Sequence, residues 1–503
     1  MISVRRTLLF YAVLGAFSIG AYLWASREVI SIGFPLDDAW IHQTYARNLA
    51  QSGEWAFQAG ERSGGSTAPL WSGLLALGHL LGFGPYWSAF ILGWLCLWGL
   101  AVLGCQAFRE IQPGKNWTWA AGAGALLLLE WHLVWAAGSG METLLFALLV
   151  LVGLSWIARL GNTRGAGPVN DPAWRWLGIG ALVGLSGWVR PDGITLLGPA
   201  MLLALMMGGK WGSCLRIATY IIVGFLMLFL PYLLFNRVMA GAWWPTTLYA
   251  KQAEYAALLG APLPERLLRL ATLPLVGAGS LLLPGYIYGL WCRIRRGEWG
   301  AAAGSLWVLG YVCSYALRLP VTYQHGRYLI PVIPVFCVWG LAGLADLIRI
   351  HPATLWRRVF ARAWLISLVA VLLVFWGRGA SAYAWDVAVI ESEMGATARW
   401  VSNHTSPESL VAAHDIGALG YFGGRRLLDL AGLISPEVIP FIADESALED
   451  YLDAKGAGYL VTFPGWYPAL SARGSPVFTT GGRFSPALGG ENMTVYGWKG
   501  GIP

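Results

Sequence analysis

Long apolar runs separated by short polar stretches set the pattern of this chain. They fall at roughly 7–25, 86–108, 117–137, 141–160, 175–189, 193–209, 217–236, 272–292, 301–318, 327–348 and 363–379. At about 20 residues per crossing, the pattern predicts about eleven transmembrane helices. The run 68–83 contains Pro69, Gly73, Gly78 and His79 and is short for a crossing. It is expected to lie as a juxtamembrane or re-entrant helix. From about 385 the runs shorten, and Gly, Pro and acidic residues increase. Val387–Ser402 and 445–455 read as helices, and Leu410–Ala413, Leu427–Leu430, Tyr459–Phe463 and Met493–Tyr496 as strands. The expected fold is an all-α polytopic membrane module over 1–384, with its first exterior loop at 26–85, and a C-terminal exterior α/β domain over 385–503.

Charge orients the helices. If 68–83 does not cross, one set of loops comprises 109–116, 159–174, 209–216, 293–300 and 349–362. Together with the N-terminus these carry many Lys and Arg residues, against Glu110, Asp171 and Glu298 as their only acids. Such a bias marks the cytoplasmic side, so the other loops and the C-terminal domain are expected outside a plasma (inner) membrane. The net charge of +7 follows from these loops and does not indicate nucleic acid. The composition agrees: 56% of the 503 residues are hydrophobic and 12% charged, about half the charge of a soluble protein. Several of the 29 Trp residues, such as Trp24, Trp117, Trp174 and Trp376, lie at segment ends as an interfacial belt would. The six Cys lie in or beside apolar runs, with neither a disulfide framework nor metal-type spacing. Residues 7–24 read as a retained anchor rather than a cleaved signal peptide.

Polar motifs gather in the loops expected outside. The first is Phe34-Pro35-Leu36-Asp37-Asp38-Ala39-Trp40-Ile41-His42. Carboxylates beside lipid suggest function. Ile41, Tyr45 and Leu49 recur at helical spacing, with His42, Gln43 and Arg47 off that face. Asp38 is placed to cap this helix, which leaves Asp37 free as a general base, Asp38 assisting. The plainer alternative is that both merely begin a surface helix. Further motifs contain Glu142, Arg190 and Asp192, Lys251, and His325, Arg327 and Tyr328. No Walker-type loop, GxGxxG, HExxH or Ser-His-Asp arrangement is present. Carboxylates and cations at membrane level suit a lipid-phosphate donor. A phosphate leaving group needs cations and no acid, and one carboxylate can activate the acceptor hydroxyl. Hydrolytic glycosidases usually need a second carboxyl.

The order of these motifs carries a resemblance. Asp37-Asp38-Ala39-Trp40-Ile41, Tyr45-Ala46-Arg47-Asn48-Leu49, Gly60-Glu61-Arg62 and Ser66-Thr67-Ala68-Pro69-Leu70-Trp71 are followed by Gly140-Met141-Glu142 and Arg190-Pro191-Asp192-Gly193. Then come Pro245-Thr246-Thr247-Leu248-Tyr249-Ala250-Lys251 and His325-Gly326-Arg327-Tyr328-Leu329-Ile330-Pro331, and in the tail Ala413–Tyr421 and Asp429–Leu433. The set resembles the GT-C superfamily of integral-membrane glycosyltransferases over nearly the whole chain. It is most similar to actinobacterial arabinofuranosyltransferases, and distantly similar to protein mannosyltransferases and lipid A aminoarabinose transferases. The resemblance implies inverting transfer from a polyprenyl-phosphate sugar, with Asp37 as base and Asp38 beside it. The acceptor would be a hydroxyl of a cell-envelope glycan, lipid or protein. Gly64-Gly65-Ser66-Thr67 departs from the Tyr-Thr of the arabinofuranosyl enzymes, so the sugar does not carry over. A divalent cation, magnesium or manganese, is the one cofactor left open. The alternative is a transporter or flippase of lipid-linked sugars, which would show internal repeats and broken mid-membrane helices.

Each candidate has a plainer reading. Glu142 could be a boundary acid paired with any cation, and Arg190 a snorkelling end residue. Asp192 argues for a local ion pair as much as for catalysis. Lys251 is the best phosphate candidate. His325 and Arg327 flank Gly326, which suits either backbone approach to phosphate or a simple helix start. His79 and His132 read as structural histidines, Trp243-Trp244 as an interfacial anchor, and His414-Asp415 as loop residues.

Overall fold

The computed structural model describes residues 4–161, 172–207, 211–348 and 354–498. Arg164, Asp171, Lys210 and Arg349 of the basic loops lie outside the described residues. The helices run in the order α1 (Val4–Val29), α2 (Asp38–Ser52), α3 (Pro69–Leu80), α4 (Pro85–Ile111), α5 (Trp117–Leu129), α6 (Trp131–Gly138), α7 (Thr143–Gly161), α8 (Ala173–Val189) and α9 (Leu197–Met207). There follow α10 (Trp211–Ala240), α11 (Thr246–Glu254), α12 (Leu263–Thr272), α13 (Gly279–Arg295), α14 (Trp299–Arg318), the short turn α15 (Tyr323–Gly326), α16 (Ile333–Leu347) and α17 (Leu355–Ile390).

Within the described residues every predicted apolar run is mainly helical. Among the described residues, seven stretches are individually long and apolar enough to cross a membrane, or nine if each of two bent pairs is one span. α8, with 17 residues, and the segment Pro191–Met207 supply the remaining two runs. The chain is a multi-pass membrane protein. α3 has 12 residues, about 18 Å of rise, too little to cross alone. Large apolar side chains stay uncovered along α1 (Leu9, Val13, Phe17), α10 (Met227, Leu234) and α17 (Ile366, Val374). In a bilayer these faces meet lipid. Within the stretch Tyr323–Leu347, residues 326–345 are all buried.

The 52° bend between α5 and α6 falls at Glu130. Its carboxylate accepts the Leu133 N–H at 3.1 Å and pairs with His132 Nδ1 at 2.8 Å. Backbone groups freed by a break in a span need such partners. His132 is thus a satisfied structural histidine, as is His79, whose Nε2 lies 2.9 Å from Gln43 Oε1.

β1 (Ala56–Gln58) and β2 (Glu61–Arg62) form a small hairpin in the loop after α2. The C-terminal region holds a five-stranded sheet of β3 (Leu410–Ala413), β4 (Arg426–Asp429), β5 (Tyr459–Thr462), β6 (Ser475–Thr479) and β7 (Thr494–Gly497), in the order β4-β3-β5-β7-β6. β3 pairs parallel with β4 and β5, and β7 pairs antiparallel with β5 and β6. The four predicted strands correspond to β3, β4, β5 and β7. β6 is an edge strand with a register shift at Pro476, mostly exposed, and lacks an apolar alternation. α17 runs through position 384/385, so one helix carries the chain from the bundle into the sheet-bearing region.

A candidate active site between the helix bundle and the C-terminal domain

The two adjacent carboxylates lie where α2 begins, but Asp38 does not cap the helix. α2 starts at Asp38 itself. Asp37 occupies the capping position with helical dihedrals (φ −65°, ψ −35°), and its side chain makes no cap hydrogen bond. Backbone bonds serve the first turn instead: Trp40 N donates to the Asp37 carbonyl at 2.9 Å. Both carboxylates are drawn outward by stronger partners, since hydrogen bonds to a charged acceptor outcompete a local cap. Asp37 is buried. Its two oxygens accept the backbone N–H groups of Gly417 at 2.7 Å and Ala418 at 2.8 Å. Asp38 is half-buried and pairs with Arg327 Nη2 at 2.6 Å and Lys251 Nζ at 3.9 Å.

These partners give the two acids opposite ionisation. Burial, reinforced by the nearby Asp415 charge, pushes Asp37 up to about 8 against the pull of its two N–H donors. Burial also works against charge on Asp38, but Arg327 and Lys251 outweigh it and hold that carboxyl well below the usual range.

Two cavities meet at Asp38, Lys251 and Arg327. The narrower reaches into the bundle to Glu142, Arg190 and Asp192. Glu142 is buried, with Oε1 3.7 Å from Arg190 Nη1 and Oε2 3.4 Å from His42 Nε2. Arg190 is held by Asp192 at 3.0 Å, which also accepts from Tyr315 Oη at 2.5 Å and Tyr311 Oη at 3.2 Å. Tyr328 lies 5.1 Å under the Arg327 guanidinium and 5.4 Å from Lys251 Nζ. Arg327 is 8% exposed, yet its Nε and Nη1 have no hydrogen-bond partner. Buried donors left open in this way point to a missing acceptor.

Local strain aims Arg327. Gln324, His325 and Gly326 are left-handed in succession, at φ 52°, 57° and 65°. Such backbone is costly for the two non-glycine residues. At Gly326 a Cβ would lie 2.6 Å from Leu273 Cδ1. The same turn sends His325 away from the cavities, where its Nε2 pairs with Asp386 Oδ2 at 2.8 Å between the edges of Trp131 and Trp135. His325 therefore does not line either cavity, contrary to its placement among the substrate-binding residues.

The larger cavity, about 610 Å³, opens between the bundle and the C-terminal region. Asp37, Asp38, Lys251 and Glu254 form one side, and His414, Asp415, Trp466 and Tyr467 the other. His414 Nε2 lies 3.5 Å from Glu254, and its Nδ1 2.8 Å from Tyr467 Oη. Burial, despite His414, pushes Asp415 up to about 6. The Asp429–Leu433 motif folds this wall. The Asp429 carboxylate accepts the N–H groups of Ala431 at 2.8 Å and Ile434 at 2.7 Å, and the Leu433 carbonyl accepts Thr246 Oγ1 at 2.6 Å.

Seven of the nine sequence-predicted residues, Asp38, Glu142, Arg190, Asp192, Lys251, Arg327 and Tyr328, line the narrow cavity, and Asp37 lines the larger one. Sequence reasoning passed over His42 and set His414 and Asp415 aside as loop residues. The burial of α2 on nearly every face hides His42, since Ala39–Ala46 are all buried and a single apolar stripe does not describe the helix. The pairing of His414 with Glu254 spans two distant segments and leaves no local signal. Among the described residues, no group of three or more His, Cys, Asp or Glu side chains is arranged to hold a metal ion.

The chain has the fold of the GT-C integral-membrane glycosyltransferases, as its motifs imply. ArnT from Cupriavidus metallidurans bound to undecaprenyl phosphate is similar at a TM-score of 0.61 and 15% identity, covering 96% of this chain and 97% of ArnT. The archaeal oligosaccharyltransferase AglB from Archaeoglobus fulgidus, in complex with an inhibitory peptide and a dolichol-phosphate, is similar at 0.63 and 11%, covering 99% and 74%. The arabinofuranosyltransferase AftD from Mycobacteria is similar at 0.53 and 16%, covering 99% of this chain and 42% of AftD. Residues 382–496 match a family described as a domain of unknown function, DUF8728. No curated protein matches by sequence.

Proposed function

We propose that this protein is an inverting glycosyltransferase acting on the extracytoplasmic side of the membrane. It moves a sugar from a polyprenyl-phosphate donor to an acceptor hydroxyl of the cell envelope. The observation that carries this reading is the junction of the two cavities. There Arg327 and Lys251 are aimed by Asp38, and Arg327 keeps two buried nitrogens without partners. A phosphate supplies acceptor oxygens that these donors lack. The similar ArnT binds undecaprenyl phosphate and the similar AglB a dolichol-phosphate, which supports a lipid phosphate as the guest.

In this reading the leaving phosphate rests on Arg327 and Lys251, with Asp38 as the positioning residue that holds both cations. Charge building on the leaving oxygen is stabilised by groups already in place. The sugar hydroxyls face Glu142, whose Oε2 meets His42 Nε2 at 3.4 Å, and Arg190. Asp37 borders the larger cavity from which the acceptor arrives. A carboxyl near 8 is matched to taking a proton close to neutral pH. The basic loops on the opposite ends of the helices support placing this face outside the cytoplasm.

The test is transfer of sugar from a polyprenyl-phosphate donor by the purified full chain in detergent or liposomes, with release of polyprenyl phosphate monitored in parallel. The reading fails if the protein neither binds undecaprenyl phosphate nor releases it from any such donor.

A further inference from the structure

The larger cavity has a lining that donor binding does not use. Besides the two aspartates of α2, it presents Glu254, Asp415 and Glu445. Its two strong cations, Lys251 and Arg327, both already face Asp38. Outside the phosphate position Glu254, Asp415 and Glu445 face the single imidazole of His414, so an anionic guest would meet net negative charge. The far wall is aromatic and open. Trp466 is 49% exposed, yet its ring is held by Phe463 at 5.0 Å and edge-on by His414 at 5.1 Å. A fixed indole with an uncovered face is a platform for an apolar surface of matching size. Beside it the Asp415 Oδ2 is shielded from solvent and has no hydrogen-bond partner.

A sugar ring complements this lining in both respects. Its C–H face covers an indole, and its hydroxyls donate to carboxylates. A purely apolar guest would leave the open Asp415 oxygen without a donor.

We propose that the larger cavity is the acceptor site and that the acceptor is an uncharged glycan, its ring on Trp466 and its hydroxyls bonded to Asp415 and Glu254, with one hydroxyl at Asp37. This rests on the transferase reading above and names the second substrate of that reaction. The step balances. The acceptor O–H breaks and its proton passes to Asp37. The acceptor oxygen bonds the sugar's anomeric carbon as the bond from that carbon to the phosphate oxygen breaks. The bonding pair leaves with the phosphate as polyprenyl phosphate.

The test exposes the full chain in detergent to immobilised oligosaccharides in three groups, neutral, uronate-bearing and phosphorylated, and to unmodified peptides. Undecaprenyl phosphate binding is measured on the same samples. Retention on neutral oligosaccharides alone is expected. Trp466→Ala should weaken that retention about tenfold, while Trp466→Tyr keeps most of it and both still bind undecaprenyl phosphate. Asp415→Asn should weaken it several-fold, and decides the matter if Trp466→Ala loses lipid binding as well. Preference for anionic glycans or for peptides, no retention of neutral glycans, or indifference to both variants overturns the proposal. Neutral glycan retention without undecaprenyl phosphate binding would remove the donor reading and leave the cavity's ligand standing.

Discussion

Asp37 and Gly417 stand 380 positions apart, and the Asp37 carboxylate accepts the Gly417 N–H at 2.7 Å. A Cβ at Gly417 would lie 2.0 Å from the Asp37 carbonyl oxygen, so only glycine admits this approach. The C-terminal domain is therefore part of the wall against which Asp37 is held. Its neighbour Asp38 turns to the cations of the bundle. One dipeptide thus ties both halves of the molecule to the junction of the two cavities.

Asp37→Asn should abolish transfer, with a loss of about a hundredfold or more, and leave undecaprenyl phosphate binding near wild type. The pH profile carries a sign. The base acts ionised and its carboxyl is pushed up to about 8, so kcat/KM should rise with pH through that value and then level. A rate already flat between pH 5 and 7 would remove Asp37 as the titrating base.

Gly417→Ala should lower kcat without a matching rise in the donor KM, because the added carbon displaces the Asp37 segment and not Arg327 or Lys251. Gly20→Ala, where a Cβ meets nothing within 4 Å, is the control for the handling of glycine variants. Equal activity in the two variants would show that the contact with Gly417 does not position Asp37.

Lys251→Ala and Arg327→Ala should raise the donor KM, Arg327→Ala more, since its two open nitrogens are buried. Asp38→Asn should cost about tenfold, through loss of the charge that aims both cations. An unchanged donor KM in all three variants would place the phosphate elsewhere.

His325→Ala should leave the donor KM unchanged. It removes the bond to Asp386 at 2.8 Å and should lower Tm by about 3 °C. A raised KM with unaltered Tm would return His325 to the binding site.

Topology is tested by cysteine labelling in a Cys313→Ser background, Cys313 being the exposed cysteine among the six. Ser52→Cys and Ser406→Cys should react with an impermeant reagent in intact cells, and Arg295→Cys should not. The reverse pattern would invert the orientation that the basic loops imply.

The sequence by itself determined the elements. Within the described residues each apolar run is mainly helical because a backbone in lipid must satisfy its own hydrogen bonds, and length with apolarity suffices to mark such a segment. β3, β5 and β7 were legible because buried strands are apolar throughout, while β6 stayed hidden as an exposed edge bearing Pro476. Loop charge and motif order likewise brought Glu142, Arg190, Lys251 and Arg327 to one end of the bundle before any contact was known. The tertiary structure decided which partner each side chain meets. Local pattern assigned the cap to Asp38 and freedom to Asp37. Donors from residues 327 and 417 engaged both side chains and left the cap to neither, because charge-assisted bonds from distant segments outweigh a local cap. His325 was read with Arg327 by adjacency, but three left-handed residues in succession turned their side chains apart. His414 acquired a place in a cavity only because folding set it opposite Glu254. Membership of an element is a property of neighbours along the chain, whereas membership of a site depends on distances that only the packed fold creates.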